Sequence, residues 1–526
     1  MAQNLILVAI VLFLCLMAEK LSGKFGMPAL ILFMGVGMLF GSDGILRIAF
    51  DNYELAQNIC LIALCFIMFY GGFNMKWSAA RPVAVKAVCL STIGVVVTAG
   101  LTAVFCMLVL KFDFVDAFLM GAVLSSTDAA SVFSVLRTKK LNLKDGTASI
   151  LEMESGSNDP VAYLLTMIGI TMKTGGSLAS LPYIIFAQVA YGLAIGAIAA
   201  AVGIFLLKKG TLQAAGMDMI LVVAVVMIAF GFSDMVGGNA FLTVYLMGIL
   251  LGNSNIRSKE TLIPFFDGMT GLAQIVLFFL LGLLSFPHKL PQIFMISLAI
   301  AVVLIRPIAI FLILKPFKCS NRQCLMISWA GLRGAASIVF AIMVIAASSS
   351  SSDTLFHTVF MVALLSVAIQ GTFLPFVAHK LNMVDDSCDV RMTFNDYKEA
   401  SEITMMQMEI PEGHNWENRL VKDVSMPTGS LAVMIKRQGE TLIPGGDTRI
   451  LAGDIIVLSV PAYESGGQEH LEEQEITKKH RWCNKTIAEL RLPHGTLIVL
   501  VRRGNENIIP NGQTEILEGD HVVLYS

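Results

Sequence analysis

Three short segments in otherwise apolar stretches contain residue types that could bind a cation or a proton. They are residues 125–130 (S-S-T-D-A-A), 152–160 (E-M-E-S-G-S-N-D-P) and 331–336 (G-L-R-G-A-A). In the second segment Ser155 and Asp159 are four residues apart, so they share one face of a helix. Hydroxyl, amide, carbonyl and carboxylate oxygens suit a hard monovalent cation rather than a soft metal.

The second segment predicts a carboxylate with two competing ligands. Glu154 and Arg333 are expected to neutralise each other as a structural ion pair, because a buried charge usually has a partner of opposite sign. Asp159 is then left with no obvious cationic partner, and such a carboxylate can carry either a proton or a metal cation. One carboxylate with two mutually exclusive ligands and two access states is a minimal device for antiport.

The first and third segments predict interrupted helices. Unwinding at 125–130 would expose backbone carbonyls and the dipole ends of two half-helices to a cation. The interruptions fall in the fifth and the twelfth apolar stretch, which are seven stretches apart. Equivalent helices in the two halves of an inverted repeat would show such a spacing. Glycine breaks that only allow close helix packing are the alternative, but packing alone would not need carboxylates at Asp128, Glu154 and Asp159.

The chain that positions these segments has the composition of a membrane protein. Of its 526 residues, 56% are hydrophobic and only 14% are charged, which excludes an ordinary soluble enzyme. About 13 stretches are apolar and long enough to cross a bilayer as helices. We therefore predict a polytopic α-helical membrane domain over residues 1–382, in contact with lipid, with two broken crossing helices.

The basic residues between the apolar stretches predict the orientation of this domain. Alternate loops and the end of the last stretch contain 17 Lys and Arg, whereas the remaining loops contain 4. Basic residues are enriched on the cytoplasmic side, so the N-terminus is expected outside and the C-terminal part inside. Arg306 and Arg333 lie within apolar stretches, where a charge costs about 2.5–3.5 kcal/mol and needs a partner or a role.

The C-terminal part is acidic and contains a repeat. Residues 381–526 have 14 basic and 23 acidic residues, whereas residues 1–380 have 23 and 16. At an offset of 66, residues 408–460 match residues 474–526 without gaps, with 21 of 53 positions identical. Short β-type runs alternate with Gly and Pro turns in each copy. We predict a linker (383–398) and two small α+β or β-rich cytoplasmic modules (399–461 and 462–526). Each module is either a structural dimerisation module or a ligand-sensing module that gates the membrane part.

Both parts resemble known families. Residues 1–380, with S-S-T-D-A, E-S-G-S-N-D-P and G-L-R-G-A, resemble monovalent cation:proton antiporters of the NhaP type, and among these the CvrA-like potassium:proton antiporters of bacterial inner membranes. The shared IP-x-G-x-T-x-I-L-x-G-D segment of the tail resembles the C-terminal lobe of the TrkA/RCK potassium-conductance regulators. No G-x-G-x-x-G dinucleotide loop is present in the tail.

The antiporter resemblance implies a fold, a site and an assembly. It implies an NhaA-like fold with inverted repeats, and a homodimer in which a core bundle moves against a dimer bundle. In the site, Asp159 would bind proton or cation, and the Asn-Asp pair marks electroneutral exchangers; the surrounding residues would be Asn158, Ser155, Thr127 and Asp128. Glu154 and Arg333 would form the stabilising pair. Many sodium exchangers of the family have an acidic residue near the position of Tyr70, so this difference points away from sodium.

These observations predict a potassium:proton antiporter of the bacterial inner membrane, regulated by its cytoplasmic tail through a small-molecule or nucleotide ligand and acting in pH homeostasis. A sodium:proton exchanger is the alternative within the class. A regulated channel or a membrane sensor is the alternative outside it, but no T-V-G-Y-G-like filter is present. No nucleophile–base pair or metal-ligand cluster stands out among the eight histidines, so we expect no enzyme, no cofactor, no metal beyond the transported cation and no nucleic-acid partner.

Overall fold

The structure is a computed structural model in two compact units, residues 1–397 and 398–526. It describes residues 2–25, 28–48, 50, 52–139, 141–209, 216–256, 259–286, 288, 290, 292–347, 354–385, 403–411, 413–424, 426, 430–437, 440–461, 471–476, 480–490, 497–503, 506–508 and 510–525. Of the predicted linker 383–398, residues 386–398 lie outside the described residues, as do 399–402 and 462–470 at the predicted starts of the two modules.

The first unit is helical. Its helices are α1 (Ala2–Phe25), α2 (Ala29–Phe40), α3 (Tyr53–Asn74), α4 (Trp77–Ala80), α5 (Ala84–Cys89), α6 (Val95–Leu108), α7 (Phe114–Val123), α8 (Ala129–Thr138), α9 (Thr147–Lys173), α10 (Leu181–Lys209), α11 (Met217–Met235), α12 (Ala240–Gly252), α13 (Lys259–Leu283), α14 (Ile293–Leu314), α15 (Asn321–Trp329), α16 (Ala335–Ala347), α17 (Thr354–Leu365) and α18 (Thr372–Lys380). Two π-helical segments, Leu90–Gly94 and Ser366–Gly371, join α5 to α6 and α17 to α18.

Length and composition make this unit a multi-pass membrane domain. Among the described residues, eight helical stretches are long and apolar enough to cross a membrane, and α2, α7, α12 and α16 are shorter apolar helices. Side-chain caps begin several of them: the Asn239 carboxamide accepts a hydrogen bond from the Leu242 N–H at 3.0 Å at the start of α12.

Small residues let neighbouring helices approach closely. A Cβ added to Gly248 of α12 would lie 2.3 Å from the Phe69 carbonyl oxygen of α3, and one on Gly72 of α3 would lie 2.4 Å from the Tyr245 carbonyl oxygen of α12. In a bilayer, where apolar side chains gain little by leaving lipid, such backbone contact is a main source of helix association. Helices α3 and α12 are thereby fixed beside α9, which contains the E-S-G-S-N-D-P segment.

The second unit consists of β-strands. They are β1 (Ile403–Glu409), β2 (Leu431–Arg437), β3 (Glu440–Leu442), β4 (Ile455–Pro461), β5 (Leu471–Glu475), β6 (Lys485–Thr486), β7 (Leu497–Arg503), β8 (Glu506–Ile508), β9 (Glu515–Ile516) and β10 (Asp520–Tyr525). They form two four-stranded antiparallel sheets of order β1-β4-β2-β3 and β5-β10-β7-β8, and a two-stranded sheet of β6 and β9.

The two sheets repeat each other at the offset found in the sequence. Glu409 pairs with Ile455 in the first sheet, and Glu475 pairs with His521, each 66 residues later, in the second. Each copy also has its own small core, around Ile435 in the first and Val501 in the second. The internal repeat is therefore a repeat of structure as well as of sequence.

Candidate cation and proton site

The two predicted interruptions are present and face each other. Helix α7 ends before the first break and α8 begins after it, while α15 and α16 flank the second. The Asp128 N–H in the first break donates to the Leu332 carbonyl in the second at 2.8 Å, and Nη1 of Arg333 donates to the Ser126 carbonyl at 3.0 Å. Backbone groups that lost their helical partners are thus satisfied across the crossing, as a membrane interior requires.

Helix α9 binds the first break through its polar face. The Nδ2 of Asn158 donates to Oγ1 of Thr127 at 2.5 Å, and the Ser155 hydroxyl donates to the Thr127 carbonyl at 2.7 Å. Asn158 is completely buried, and its Oδ1 has no hydrogen-bond partner among the described residues. The amide therefore positions the unwound segment while keeping one oxygen available.

Asp159 lies next to these contacts and is 8% exposed. The Ser126 hydroxyl donates a hydrogen bond to its Oδ1. Within the described part of the chain, no basic side chain forms an ion pair with Asp159. Asp128 is held separately, since the Ser131 hydroxyl donates to its Oδ2 at 2.5 Å. The arrangement leaves a buried carboxylate whose charge must be balanced by something that arrives from outside.

The predicted pairing of Glu154 with Arg333 is wrong. Oε1 of Glu154 lies 2.8 Å from Nη2 of Arg306 on α14, and both side chains are almost fully buried. Arg306 reaches Glu154 across Gly331, where an added Cβ would lie 1.8 Å from its Nε. Arg333 has a different set of contacts: its guanidinium donates to the first break, and its backbone N–H donates to the Ser366 hydroxyl at 3.0 Å.

A cavity of about 790 Å³ reaches this site. Among its lining residues are the hydroxyl groups of the first break and of α9, together with five carboxylates and no basic side chain of the described chain. The carboxylates are those of Glu19, Asp128, Glu152, Asp159 and Asp267. The cavity can therefore hold a cation and water beside Asp159.

The structure brings the five predicted binding residues together and adds others that the sequence did not assign. Thr127, Asp128, Ser155, Asn158 and Asp159 all lie within the contacts described above. In the sequence, Ser126 is marked only as part of the first segment, and Arg306 is marked only as a charge within an apolar stretch. Asp267 of α13 carried no local signal, because the Tyr70 hydroxyl that donates to it at 2.9 Å is 197 residues away.

Comparison with family models supports both resemblances. A model described as "Sodium/hydrogen exchanger, transmembrane" matches residues 8–380. A model described as the TrkA-C domain matches residues 405–462 and again residues 471–526. The resemblance of the membrane part to the antiporter family and that of the tail to the TrkA-C lobe are thus confirmed.

Curated relatives and a solved structure agree with these matches. A "K(+)/H(+) antiporter NhaP2" of Shewanella sp. (strain MR-4) is 33% identical over 448 residues, which cover 83% of this chain and 78% of the relative. A "K(+)/H(+) antiporter NhaP" of Alkalimonas amylolytica is 32% identical over 84% of this chain and 78% of its own. The sodium proton antiporter MjNhaP1 from Methanocaldococcus jannaschii is similar in fold, with a TM-score of 0.62 and 21% identity, over 72% of this chain and 99% of that one. The chain belongs to the transmembrane sodium/hydrogen exchanger family, and two TrkA-C domains follow its membrane part.

Proposed function

We propose that this protein is a secondary active transporter that exchanges K⁺ for protons by alternating access. The observation that carries the proposal is Asp159, a buried carboxylate on a cavity with no basic partner among the described residues. Its charge is balanced by a proton in one state and by a cation in another. The relatives at 33% and 32% identity are named K⁺/H⁺ antiporters, which supports this assignment.

The surrounding oxygens would bind the cation after part of its hydration shell is lost. Asp159, Asp128 and the hydroxyls of Ser155 and Thr127 supply hard ligands, and Asn158 offers its unused Oδ1. Because Asn158 is neutral, one proton leaves Asp159 for each monovalent cation that binds. The exchange is therefore electroneutral in this proposal.

The Glu154–Arg306 pair would hold the core of the site without titrating in the cycle. It fixes α9 to α14, while Arg333 fixes the first break to the second. The moving part of the transporter would then contain both breaks and α9 as one block. This block would move against the rest of the domain and open the Asp159 cavity to each side in turn.

We further propose the topology and assembly that the charge pattern and the family suggest. The helices on the two sides of each break, α7 with α8 and α15 with α16, would together form one crossing each. With α2, α9, α12 and the eight long stretches they would make thirteen spans, related as inverted repeats. The N-terminus would be periplasmic, the tail cytoplasmic, the membrane the bacterial inner membrane and the assembly a homodimer. The paired TrkA-C domains would bind a small cytoplasmic ligand and tune the exchange rate.

Exchange of Na⁺ for protons is the second candidate. The matching family model is described by sodium/hydrogen exchange, which favours it. Against it, position 70 is a tyrosine rather than an acidic residue.

Proton flux in everted membrane vesicles tests the proposal. K⁺, Na⁺ and Rb⁺ are added in turn to vesicles that contain the parent protein, Asp159→Asn, or Asp218→Asn as a control. Asp218 is an aspartate in the first turn of α11 that does not line the cavity. We expect Asp159→Asn to abolish exchange while the amount of protein in the membrane stays that of the parent. Asp218→Asn should exchange cations as the parent does.

The same assay distinguishes the two cations and the stoichiometry. A K⁺-dependent flux that does not respond to an imposed membrane potential supports electroneutral K⁺/H⁺ exchange. A proton flux that occurs with Na⁺ but not with K⁺ would identify Na⁺ as the substrate instead of K⁺. Normal proton movement by Asp159→Asn would refute the role of this carboxylate.

A further inference from the structure

A second polar cluster lines the cavity on α3 and α13, two helices that contain neither break. The hydroxyl of Tyr70 on α3 donates to Oδ1 of Asp267 on α13 at 2.9 Å. Both residues line the same cavity as Asp159. Tyr70 is 9% exposed, whereas Asp267 is an exposed side chain. The phenol thus fixes a carboxylate that is open to the cavity.

Thr270 adds an unsatisfied hydroxyl to this cluster. It follows Asp267 by three residues on α13, so both side chains lie on one face of the helix. Thr270 is 8% exposed and lines the cavity, yet its Oγ1 has no hydrogen-bond partner among the described residues. A threonine in a helix usually donates to a backbone carbonyl one turn earlier, so a free oxygen here points to a ligand in the cavity.

The charge of the cavity wall selects the class of ligand. Five carboxylates and no basic side chain of the described chain line it, so its potential is negative and attracts cations. The Asp267 carboxylate and the Thr270 hydroxyl form a weak, hard-oxygen site, which suits a partly hydrated monovalent ion. Weak binding is also required of an entry site, because an ion that binds there must leave again.

We propose that Asp267, Thr270 and Tyr70 form a second monovalent-cation site, an outer station where the ion binds before it reaches Asp159. The station deepens the proposed exchange function and rests on it for its role in transport. Asp267 supplies the charge, Thr270 supplies a ligand oxygen, and Tyr70 holds Asp267 in place. Asp267 and Thr270 are binding residues in this scheme, and Tyr70 is a positioning residue.

Transport kinetics test the station first. Exchange by the parent, Asp267→Asn, Thr270→Val, Tyr70→Phe and the control Asp218→Asn is measured against K⁺ concentration. Loss of the charge should raise the KM for K⁺ about fivefold, with a smaller change in kcat, because the lost interaction acts on ion capture. Thr270→Val and Tyr70→Phe should raise KM less, and the control should match the parent.

Binding without transport tests it second. In the Asp159→Asn background, purified protein is heated in KCl or in choline chloride of equal ionic strength. Because a ligand that binds only the folded state raises the melting temperature, K⁺ should still stabilise Asp159→Asn. Adding Asp267→Asn should remove that stabilisation.

The outcomes separate the station from the exchange function. If the parent exchanges K⁺, but KM and the K⁺-dependent stabilisation are the same with and without Asp267, the station is refuted and the exchange function stands. If K⁺ stabilises the protein through Asp267 but no exchange is found, the station is supported and the exchange function fails. Should Asp267→Asn not fold, Thr270→Val decides, since an unchanged KM for that near-isosteric variant overturns the station.

Discussion

Two buried arginines perform different tasks in this protein. Arg306 neutralises Glu154 at 2.8 Å, whereas Arg333 donates to the unwound backbone at Ser126 and has no carboxylate oxygen of the described residues within ion-pair distance. A charge that loses its only buried partner is far more costly than a missing hydrogen bond. The two arginines should therefore respond differently to substitution.

Replacing Arg306 should destabilise the membrane unit. Arg306→Ala leaves the Glu154 carboxylate buried and unpaired, a loss of about 3–5 kcal/mol. Thermal unfolding in detergent should show a clear drop in melting temperature. The double variant Glu154→Gln with Arg306→Gln has no unpaired charge and should lose less than Arg306→Ala. A melting temperature of Arg306→Ala equal to that of the parent would contradict the pair.

Gly331 should be required for the same pair. A Cβ at this position would lie 1.8 Å from Nε of Arg306. Gly331→Ala must therefore displace the arginine, at a loss of stability of about 1–3 kcal/mol. Gly231→Ala on α11 is the matched control, because an added Cβ meets nothing within 4 Å there. If Gly331→Ala and Gly231→Ala both have the melting temperature of the parent, the close approach to Arg306 does not explain why position 331 is a glycine.

Interrupted helices could be predicted from the sequence, whereas their partners could not. Runs of small hydroxyl residues next to Asp128, and glycines on both sides of Arg333, are poor continuous membrane helix, and both breaks are present. Which arginine contacts Glu154 depends on how α14 packs against α9, and Arg306 and Arg333 are equivalent by residue type. The Tyr70–Asp267 contact likewise joins two distant helices and leaves no local pattern.

Each β-module contains the same ion pair between a partly exposed arginine and a buried aspartate, and this pair should stabilise the module. In the first module Arg437 donates two hydrogen bonds to Asp454, each at 2.8 Å, and the second repeats them between Arg503 and Asp520. Arg437→Met should weaken the first module by about 1–3 kcal/mol, because the buried carboxylate loses its partner. Hydrogen exchange of strand β4 should accelerate, while β10 stays protected. Arg503→Met is the reciprocal control, and equal exchange of both strands in both variants would contradict this role.

The same pair predicts how the modules respond to acid. Its hydrogen bonds from Arg437, and then from the Leu451 N–H, hold the pKa of Asp454 below its usual value. A carboxyl whose pKa is lower in the folded state stabilises the fold above its unfolded pKa and loses that contribution as pH falls through the folded value. The contribution of this pair to the stability of the module should therefore be lost only as pH falls below about 4. The melting temperature of the parent should fall with pH in this range, and that of Asp454→Asn should fall less. A fall in melting temperature centred near neutral pH would instead be caused by other titratable groups.

The molecule joins a basic membrane unit to an acidic pair of modules, and the site lies entirely in the first. Every residue assigned to cation binding falls within residues 1–397, the first compact unit. Deleting residues 399–526 should therefore leave exchange in everted vesicles while changing its dependence on pH or on added cytoplasmic ligands. Deleting residues 471–526 alone is the control, because it removes one TrkA-C domain and keeps the other. A well-folded deletion of 399–526 that no longer exchanges any cation would make the modules part of the transport cycle rather than its regulator.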